Sequence, residues 1–199
     1  MASRHYHPEP CAEAGCAKNA LTGATRCWGH LADREAYVTG LGKNLVEAWL
    51  VEVDFSGRDL SSANLSGARM SKANLSGTIL RNADLRLAFL DGADLRGADL
   101  TGADLEMAVL GGADISGAVL VEANAQRSNL VGVKGQHADF SRADLYYSRP
   151  GNADLREADF AGAHIQRAIF RRANLSGADL RGTQGAANFE NANLEGTKR

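Results

Sequence analysis

The sequence is poor in cysteine, aromatic residues and long apolar runs, and each scarcity excludes a class of protein. Its three cysteines all fall within residues 11–27, an odd and clustered set that argues against a disulfide framework and predicts a reducing, cytoplasmic setting. Aromatic residues make up only 6%, so a core must be aliphatic. No run of 18 or more apolar residues exists, and the first ten residues lack the apolar stretch of a secretory signal. We therefore expect neither a membrane span nor secretion.

An excess of charge of one sign is also missing. The formal net charge is -2, and residues 54–199 hold 18 acidic and 17 basic residues. Residues 1–53 hold five basic and six acidic residues, so the electrostatic footprint of nucleic-acid binding is absent there. We expect no direct binding to nucleic acid.

What the sequence does contain is a five-residue repeat. In the stretch DLRGADLTGADL, residues 94–105, a leucine returns at every fifth position. Of the 27 positions divisible by five between 55 and 185, Leu occupies 16 and Phe, Ile or Met occupy seven. Ala stands two residues before 20 of these 27 centres, usually followed by Asp or Asn. A helix repeats near 3.6 residues and a strand at 2, so neither explains a period of five.

A chain that turns a corner every five residues explains the pattern. Four pentads close a square, and residue i stacks on residue i+20 at roughly the 4.8 Å spacing of paired strands. The large centre fills the interior, the Ala lets the walls approach, and Asp or Asn bonds the backbone of the corner. The pattern A(D/N)LXX resembles the pentapeptide-repeat proteins over residues 54–197. The resemblance implies an all-β solenoid, a right-handed quadrilateral β-helix of about seven coils.

The repeat has four failed centres and one change of register. The failed centres are Ala125, Gly135, Pro150 and Gly185. Three of them fall within residues 125–152, and Pro150 removes a backbone donor from the ladder. This stretch predicts a distorted coil or a short projecting loop at residues 131–137. After Gly185 one residue is lost from the register.

Residues 1–31 predict a separate zinc module. Four soft metal ligands stand there in two close pairs: Cys11, Cys16, Cys27 and His30. Structural zinc takes Cys3His sets, and four protein ligands leave no open position for catalysis. The text CAEAGC…RCWGH also resembles small Cys3His zinc modules that precede other domains. His5 and His7 are alternative ligands, and the competing interpretation is three free thiols with a surface histidine.

Residues 32–53 predict a helical cap over the first coil of the solenoid. Asp33 can cap a helix over residues 34–39, and Asn44 with Glu47 resembles the capping box of a second helix. A solenoid exposes the apolar end of its first coil, which repeat proteins cover with a cap. A separate partner-binding helix is the alternative. The predicted lid residues are Trp49, Leu50 and Val53.

Outward residues twenty positions apart stack in one column of the predicted coil. Two neighbouring columns carry apolar side chains where polar ones are usual, and together they form one edge of the rod. Such a stripe on a rod indicates an interface with a protein partner or with a second copy in a homodimer. The alternative is that the amino-terminal segment folds back and covers it. The residues of this predicted interaction edge are Leu87, Phe89, Met107, Val109, Tyr147 and Ile169.

The repeat offers no catalytic constellation that can be read from the sequence. Positions five apart lie on different faces, so the many aspartates do not converge, and we expect a non-enzyme with no cofactor besides structural zinc. Some pentapeptide-repeat proteins protect DNA gyrase or topoisomerase IV from quinolones or toxins, as acidic dimers that imitate DNA. The resemblance makes a gyrase- or topoisomerase-interacting protein that confers antibiotic protection the leading specific hypothesis.

Two features depart from those relatives. The repeat region has a net charge of only -1, and its end, NANLEGTKR, lacks an apolar helix for dimerisation. The alternative function is a scaffold or regulatory protein–protein interaction module unrelated to topoisomerases.

Overall fold

The solenoid is built from single-residue parallel bridges rather than from long strands. The computed structural model describes residues 9–199. Bridges join each bridged residue to the one twenty positions later, on four sides of the chain path. We number these sides 1 to 4 by their first bridged residues, which are Asn44, Trp49, Asp54 and Asp59. On side 1, seven successive bridges run from Asn44 to Gln184. The five-residue period therefore produces a four-sided coil of twenty residues.

Backbone hydrogen bonds explain why Asp or Asn recurs in each pentad. In the pentad of residues 95–99, three N–H groups donate to neighbouring coils, one donates within the corner, and one donates to a side chain. The pairs are Leu95 N to Asp114 O (2.7 Å), Gly97 N to Ser116 O (3.0 Å), Asp99 N to Thr78 O (3.0 Å), Ala98 N to Leu95 O (3.0 Å) and Arg96 N to Asp94 Oδ1 (3.1 Å). A carboxylate or amide oxygen at this position thus satisfies the one donor that the ladder leaves over.

The interior is one continuous, mainly aliphatic core formed by the centres and the alanines. Where a centre is small, a neighbour compensates for it. Gly135 is one such centre, and a Cβ added there would lie 2.9 Å from Cδ2 of Leu155, so little space is left unfilled. The same coil holds Phe140, whose ring stacks on Phe160 with centroids 4.9 Å apart. Small and large centres in one coil therefore conserve the filled volume.

Of the two forms expected within residues 125–152, the projecting loop at residues 131–137 is wrong. These residues continue the regular coil, and Lys134 bridges to the coils on both sides. Pro150 removes only its own bond, since Ile169 still donates to the carbonyl of Ser148 at 3.0 Å. The bridge between Arg149 and Ile169 is missing, but Arg149 still bridges to Asn129 and Ile169 to Asn188, so one lost donor does not force the chain outward.

The register change near the end of the chain is confirmed. Bridges link residues twenty apart up to Gln184, whereas Ile169 bridges to Asn188, nineteen positions later. Gly185 makes this possible because its φ is +88° and an added Cβ would lie 2.6 Å from Cβ of Gln166. Only glycine fits both the backbone conformation and the space.

The first predicted helix of the cap is confirmed and the second is wrong. The helix α1 spans Arg34–Gly40, and the side chain of Asp33 accepts a bond from Ala36 N at 2.8 Å. Residues 44–53 are not helical but form the first ten residues of the solenoid, with Asn44 bridged to Asn64.

The physical reason is that residues 44–53 already carry the five-residue pattern. Leu45, Leu50 and Val53 are almost completely buried inside the first coil, stacked below the next one. Stacking on the next coil provides hydrogen-bond partners for the backbone of these residues and buries their side chains. These two gains outweigh the local capping signals. Leu50 and Val53 are therefore core residues of the solenoid, and the lid lies earlier in the chain.

Residues 9–43 form that lid. They contain an antiparallel bridge between Pro10 and Asn19, the 3-10 helix Trp28–His30 and α1. Leu21 and Val38 are buried against the first coil and join the solenoid core. No helix in residues 9–199 has the length and apolarity needed to cross a membrane.

Two reciprocal hydrogen bonds fix the lid to side 2. The N–H of Thr22 donates to the carbonyl of Trp49 at 3.0 Å, and the N–H of Trp49 donates to Oγ1 of Thr22 at 2.6 Å. The hydroxyl of Tyr37 donates to the carbonyl of Thr22 at 2.9 Å. The described amino-terminal residues thus cover the open end of the solenoid.

Candidate functional site

The four predicted zinc ligands converge within the lid. Cys11 lies in the hairpin that the bridge from Pro10 to Asn19 closes, and its N–H donates to the carbonyl of Lys18 at 2.9 Å. Cys16 lies on the same hairpin. Cys27 precedes the 3-10 helix Trp28–His30, and His30 ends it. The ligand atoms of all four residues lie within 4.8 Å of one another. The alternative ligands His5 and His7 lie outside the described residues.

The sulfur and nitrogen atoms of this cluster face one another directly. Sγ of Cys16 and Sγ of Cys27 are 3.9 Å apart, and Nδ1 of His30 is 3.5 Å from the sulfur of Cys27. Nδ1 of His30 is also 3.6 Å from the sulfur of Cys11. The backbone N–H of Cys27 donates to the Cys11 sulfur and, with smaller contributions from other bonds, lowers the pKa of Cys11 to about 6. The three cysteines form no disulfide.

The structure brings four of the six predicted edge residues together. Leu87, Phe89, Met107 and Val109 line a groove of about 330 Å³, which we call the apolar groove. The side chains of Leu87 and Met107 point to solvent and are 53% and 48% exposed. Residues 9–43 pack on the end of the solenoid and leave this groove open.

The other two predicted edge residues lie further along the solenoid. Two coils separate Tyr147 from Met107, and Arg127 occupies the position between them. The ring of Tyr147 packs under the guanidinium of Arg167, 5.1 Å from the ring centroid. Ile169 lines a different groove. The predicted edge is therefore two surfaces rather than one stripe.

Ile169 belongs to a positively charged groove that the sequence did not single out. We call it the arginine groove; its volume is about 230 Å³, and it contains Arg149, Arg171 and Arg172. Arg171 lies 3.5 Å from a carboxylate of Glu190, whereas no carboxylate within residues 9–199 forms an ion pair with Arg149 or Arg172. Arg149 lies in the same column of outward residues as Ile169, whereas Arg171 and Arg172 lie outside the columns of the predicted edge.

Side 2 also lacks, in several successive coils, the hydrogen bond from a backbone N–H to the Asp or Asn side chain two residues earlier. Four successive bridged positions there carry no Asp or Asn: Trp49, Arg69, Phe89 and Val109. Two residues after each lies an N–H that elsewhere bonds to Asp or Asn. For Asp91 and Gly111, which follow Phe89 and Val109, the described part of the chain provides no acceptor for it. Each such bond contributes about 0.5–1.5 kcal/mol, so its loss in four adjacent layers favours a surface kept for contact.

A cation, Arg69, lies between the apolar groove and the lid. The guanidinium carbon of Arg69 lies 4.7 Å from the ring centroid of Phe89 and 5.5 Å from that of Trp49. Arg69 carries a charge, so a pattern of apolar replacements does not reveal it. Side 2 thus presents apolar side chains near the lid and unpaired arginines towards the other end.

Most acidic side chains elsewhere on the solenoid are already paired. Several aspartates bind the arginine two residues later, which also lies on the outer surface. These pairs are Asp84 with Arg86, Asp94 with Arg96, Asp154 with Arg156 and Asp179 with Arg181, at 2.6 to 2.8 Å. Hydrogen bonds from the arginine side chain lower the pKa of Asp154 and of Asp179 to about 2. The surface carboxylates therefore form local neutral pairs and not an acidic face.

Comparison with known families agrees with this architecture. The sequence model of the family described as pentapeptide repeats (8 copies) matches residues 44–77, 78–117, 113–146 and 151–184. The first match begins at residue 44, where the structure begins its first coil. A search of curated proteins finds no match to this chain.

Solved structures with a similar fold include cyanobacterial proteins. HetL, a pentapeptide repeat protein involved in heterocyst differentiation regulation from Nostoc sp. strain PCC 7120, is 24% identical with a TM-score of 0.60, over 81% of this chain and 91% of that chain. A second Nostoc pentapeptide repeat protein, alr5209, is 37% identical with a TM-score of 0.43, over 50% of this chain and 85% of that chain. Full-length QnrB1, a plasmid-mediated fluoroquinolone resistance protein, is 19% identical with a TM-score of 0.36, over 77% and 85%.

Proposed function

Because this chain belongs to the pentapeptide-repeat family, whose solenoids are right-handed quadrilateral β-helices, we propose that it is a non-catalytic protein that binds a protein partner along side 2. The apolar groove is the observation that carries this proposal. It exposes Leu87 and Met107 at a position where the repeat elsewhere mostly places glycine or a polar residue. Exposed apolar side chains that replace hydrogen-bonding ones lower the stability of the isolated chain, so they favour a role in contact.

The charges on side 2 define the chemistry of the partner. Two coils separate Val109 in the apolar groove from Arg149 in the arginine groove, about 10 Å at the spacing of paired strands. An extended segment rises about 3.3 Å per residue, so roughly three residues span this distance. The proposed partner segment therefore places apolar side chains in the first groove and a carboxylate about three residues away, beside Arg149 and Arg172.

The specific partner that we propose is DNA gyrase or topoisomerase IV, with protection from a quinolone or a toxin as the outcome. The rod-like repeat supports this proposal, since antibiotic-protecting members of the family use such a rod. The paired carboxylates argue against imitation of DNA, so the contact is assigned to side 2 rather than to an acidic face. The proposal places the protein in the cytoplasm, where these enzymes act and where three thiols stay reduced.

A supercoiling assay with purified gyrase tests the specific version. The protein is titrated to micromolar concentration with and without a fluoroquinolone, beside a variant with Phe89→Asn and Val109→Asn. We expect the unmodified protein to inhibit supercoiling or to rescue it from the drug, and the variant to do neither. If the unmodified protein does neither, gyrase is not the partner.

The second candidate function is a scaffold or regulatory module for a partner other than a topoisomerase. The local neutral pairs of aspartate and arginine favour it, because they remove the acidic surface that DNA imitation needs. A second copy of the chain is one such partner. Sedimentation velocity of the unmodified protein and of the Phe89→Asn, Val109→Asn variant decides this, since a homodimer through side 2 becomes a monomer in the variant.

A further inference from the structure

We propose that Cys11, Cys16, Cys27 and His30 bind one structural zinc ion that holds the lid on the first coil. This site is independent of the partner proposed for side 2. It combines two ligands from a hairpin with two that flank a 3-10 helix, which is a common way to build a structural zinc site. All four residues lie in the described lid, with Cys11 and Cys27 buried.

Three of the distances between the ligand atoms fit the edges of a tetrahedron around zinc. With zinc–sulfur bonds of about 2.3 Å and zinc–nitrogen bonds of about 2.0–2.1 Å, two sulfurs stand about 3.8 Å apart and a sulfur and a nitrogen about 3.5 Å. The sulfurs of Cys16 and Cys27 are 3.9 Å apart. The two sulfur–nitrogen distances, from Nδ1 of His30 to Cys27 and to Cys11, are 3.5 and 3.6 Å.

The surroundings hold these ligands in place. The N–H of Cys27 donates to the Cys11 sulfur at 3.3 Å, a bond that favours thiolate. Arg34, at the start of α1, donates to the carbonyls of Trp28 and Gly29 at 2.9 and 3.1 Å and so fixes the 3-10 helix that carries His30. Three sulfurs and one imidazole suit zinc better than magnesium or calcium, which prefer oxygen.

The position of the site indicates what the metal does. The chain between the two ligand pairs contains Leu21, which is buried on the first coil, and Thr22, which bonds Trp49 in both directions. Closing this segment with a metal keeps those contacts formed. Removal of the metal should therefore loosen the lid and expose the first coil, while the later coils keep their ladder.

Elemental analysis of the untagged full-length protein, purified without chelators, tests the site. We expect one zinc per chain in the unmodified protein and in His164→Ala, a matched control on side 1, where His164 pairs with Asp144. We expect loss of the metal in Cys16→Ser and in His30→Ala. A zinc content near zero with three freely titrating thiols in the native state overturns the proposal, as does one iron per chain.

A second measurement on the unmodified protein covers the case in which a ligand variant does not fold. A chelator is added, and zinc release, thiol titration, circular dichroism and limited proteolysis are followed together. The expected result is release of one equivalent, an increase from no reactive thiol to three, and cleavage by protease confined to the lid with the solenoid spectrum retained. Thiols that are equally reactive before and after chelation contradict the site.

Discussion

Replacing two apolar residues of side 2 by the residue that the repeat normally carries should remove binding and leave the fold intact. The variant is Phe89→Asn with Val109→Asn, and both positions are half-buried on the outer surface. Asn is already present at equivalent bridged positions, such as Asn74 and Asn129. The matched control is Ile79→Asn with Val119→Asn, the same exchange on side 4, where the two apolar residues alternate with aspartates.

The expected change in stability is small because gains and losses offset each other. Each new Asn can accept the N–H two residues later, that of Asp91 or Gly111, which contributes about 0.5–1.5 kcal/mol per bond. Loss of the Arg69 contact with the ring of Phe89 costs about 0.5–1 kcal/mol, and the partial burial of both side chains contributes about 1–2 kcal/mol more. The net effect lies within about 1–2 kcal/mol, a melting shift of roughly 2–8 °C at this chain length.

Binding should respond much more strongly than stability. Truncating an apolar residue at the centre of a protein interface typically costs over about 1 kcal/mol, and hot-spot residues cost about 2–4. The double variant should therefore weaken partner binding or self-association by at least about tenfold. Thermal melting by circular dichroism and a binding titration are measured on both variants. Equal binding by the side 2 variant and the side 4 control would refute the assignment of side 2.

Three further predictions concern the solenoid itself. Because Arg156 lowers the pKa of Asp154 to about 2, the ion pair contributes stability above pH 4 and loses it as pH falls from about 4 to 2; Asp154→Asn should flatten this part of a urea-unfolding pH profile. The hydroxyl of Ser148 is buried without a partner among residues 9–199, so Ser148→Ala should leave the melting temperature unchanged or raise it, and a clear decrease would reveal a missed bond. Gly185→Ala should lower the melting temperature, since its Cβ would meet Gln166 at a φ that L residues avoid, whereas Gly112→Ala, with open space at a similar φ, should cost less.

The architecture was predictable because one period explains both composition and burial. A large residue every fifth position and an alanine two before it can share an interior only in a four-sided coil. The error at residues 44–53 arose from giving local capping signals priority over that period. Leu45 and Leu50 continue the series of centres, and testing the period at those two positions would have moved the start of the solenoid from 54 to 44.

The candidate sites were less predictable because they depend on which side each residue occupies. The ligand spacing identified Cys11, Cys16, Cys27 and His30 from sequence alone, and the structure brings them together. The predicted edge combined Tyr147 and Ile169 with the apolar groove although Arg127 and Asn129 interrupt the two columns between them. Arg171 and Arg172 of the arginine groove were missed because they lie two and three residues after Ile169, outside the columns of the predicted edge.

In this solenoid, some positions are fixed by the fold, whereas the departures from the repeat on side 2 are not. Packing in the interior fixes the centres and the alanines. The Asp or Asn is favoured because its side chain accepts a hydrogen bond from the one backbone N–H that has no partner in a neighbouring coil. Isolated departures from that position, such as Ile79 or Lys134, forgo one bond each and need no functional explanation. Four adjacent departures, from Trp49 to Val109, forgo several bonds on one surface, about 2–6 kcal/mol together. That concentration of lost stability beside exposed apolar groups favours a surface shaped for a partner.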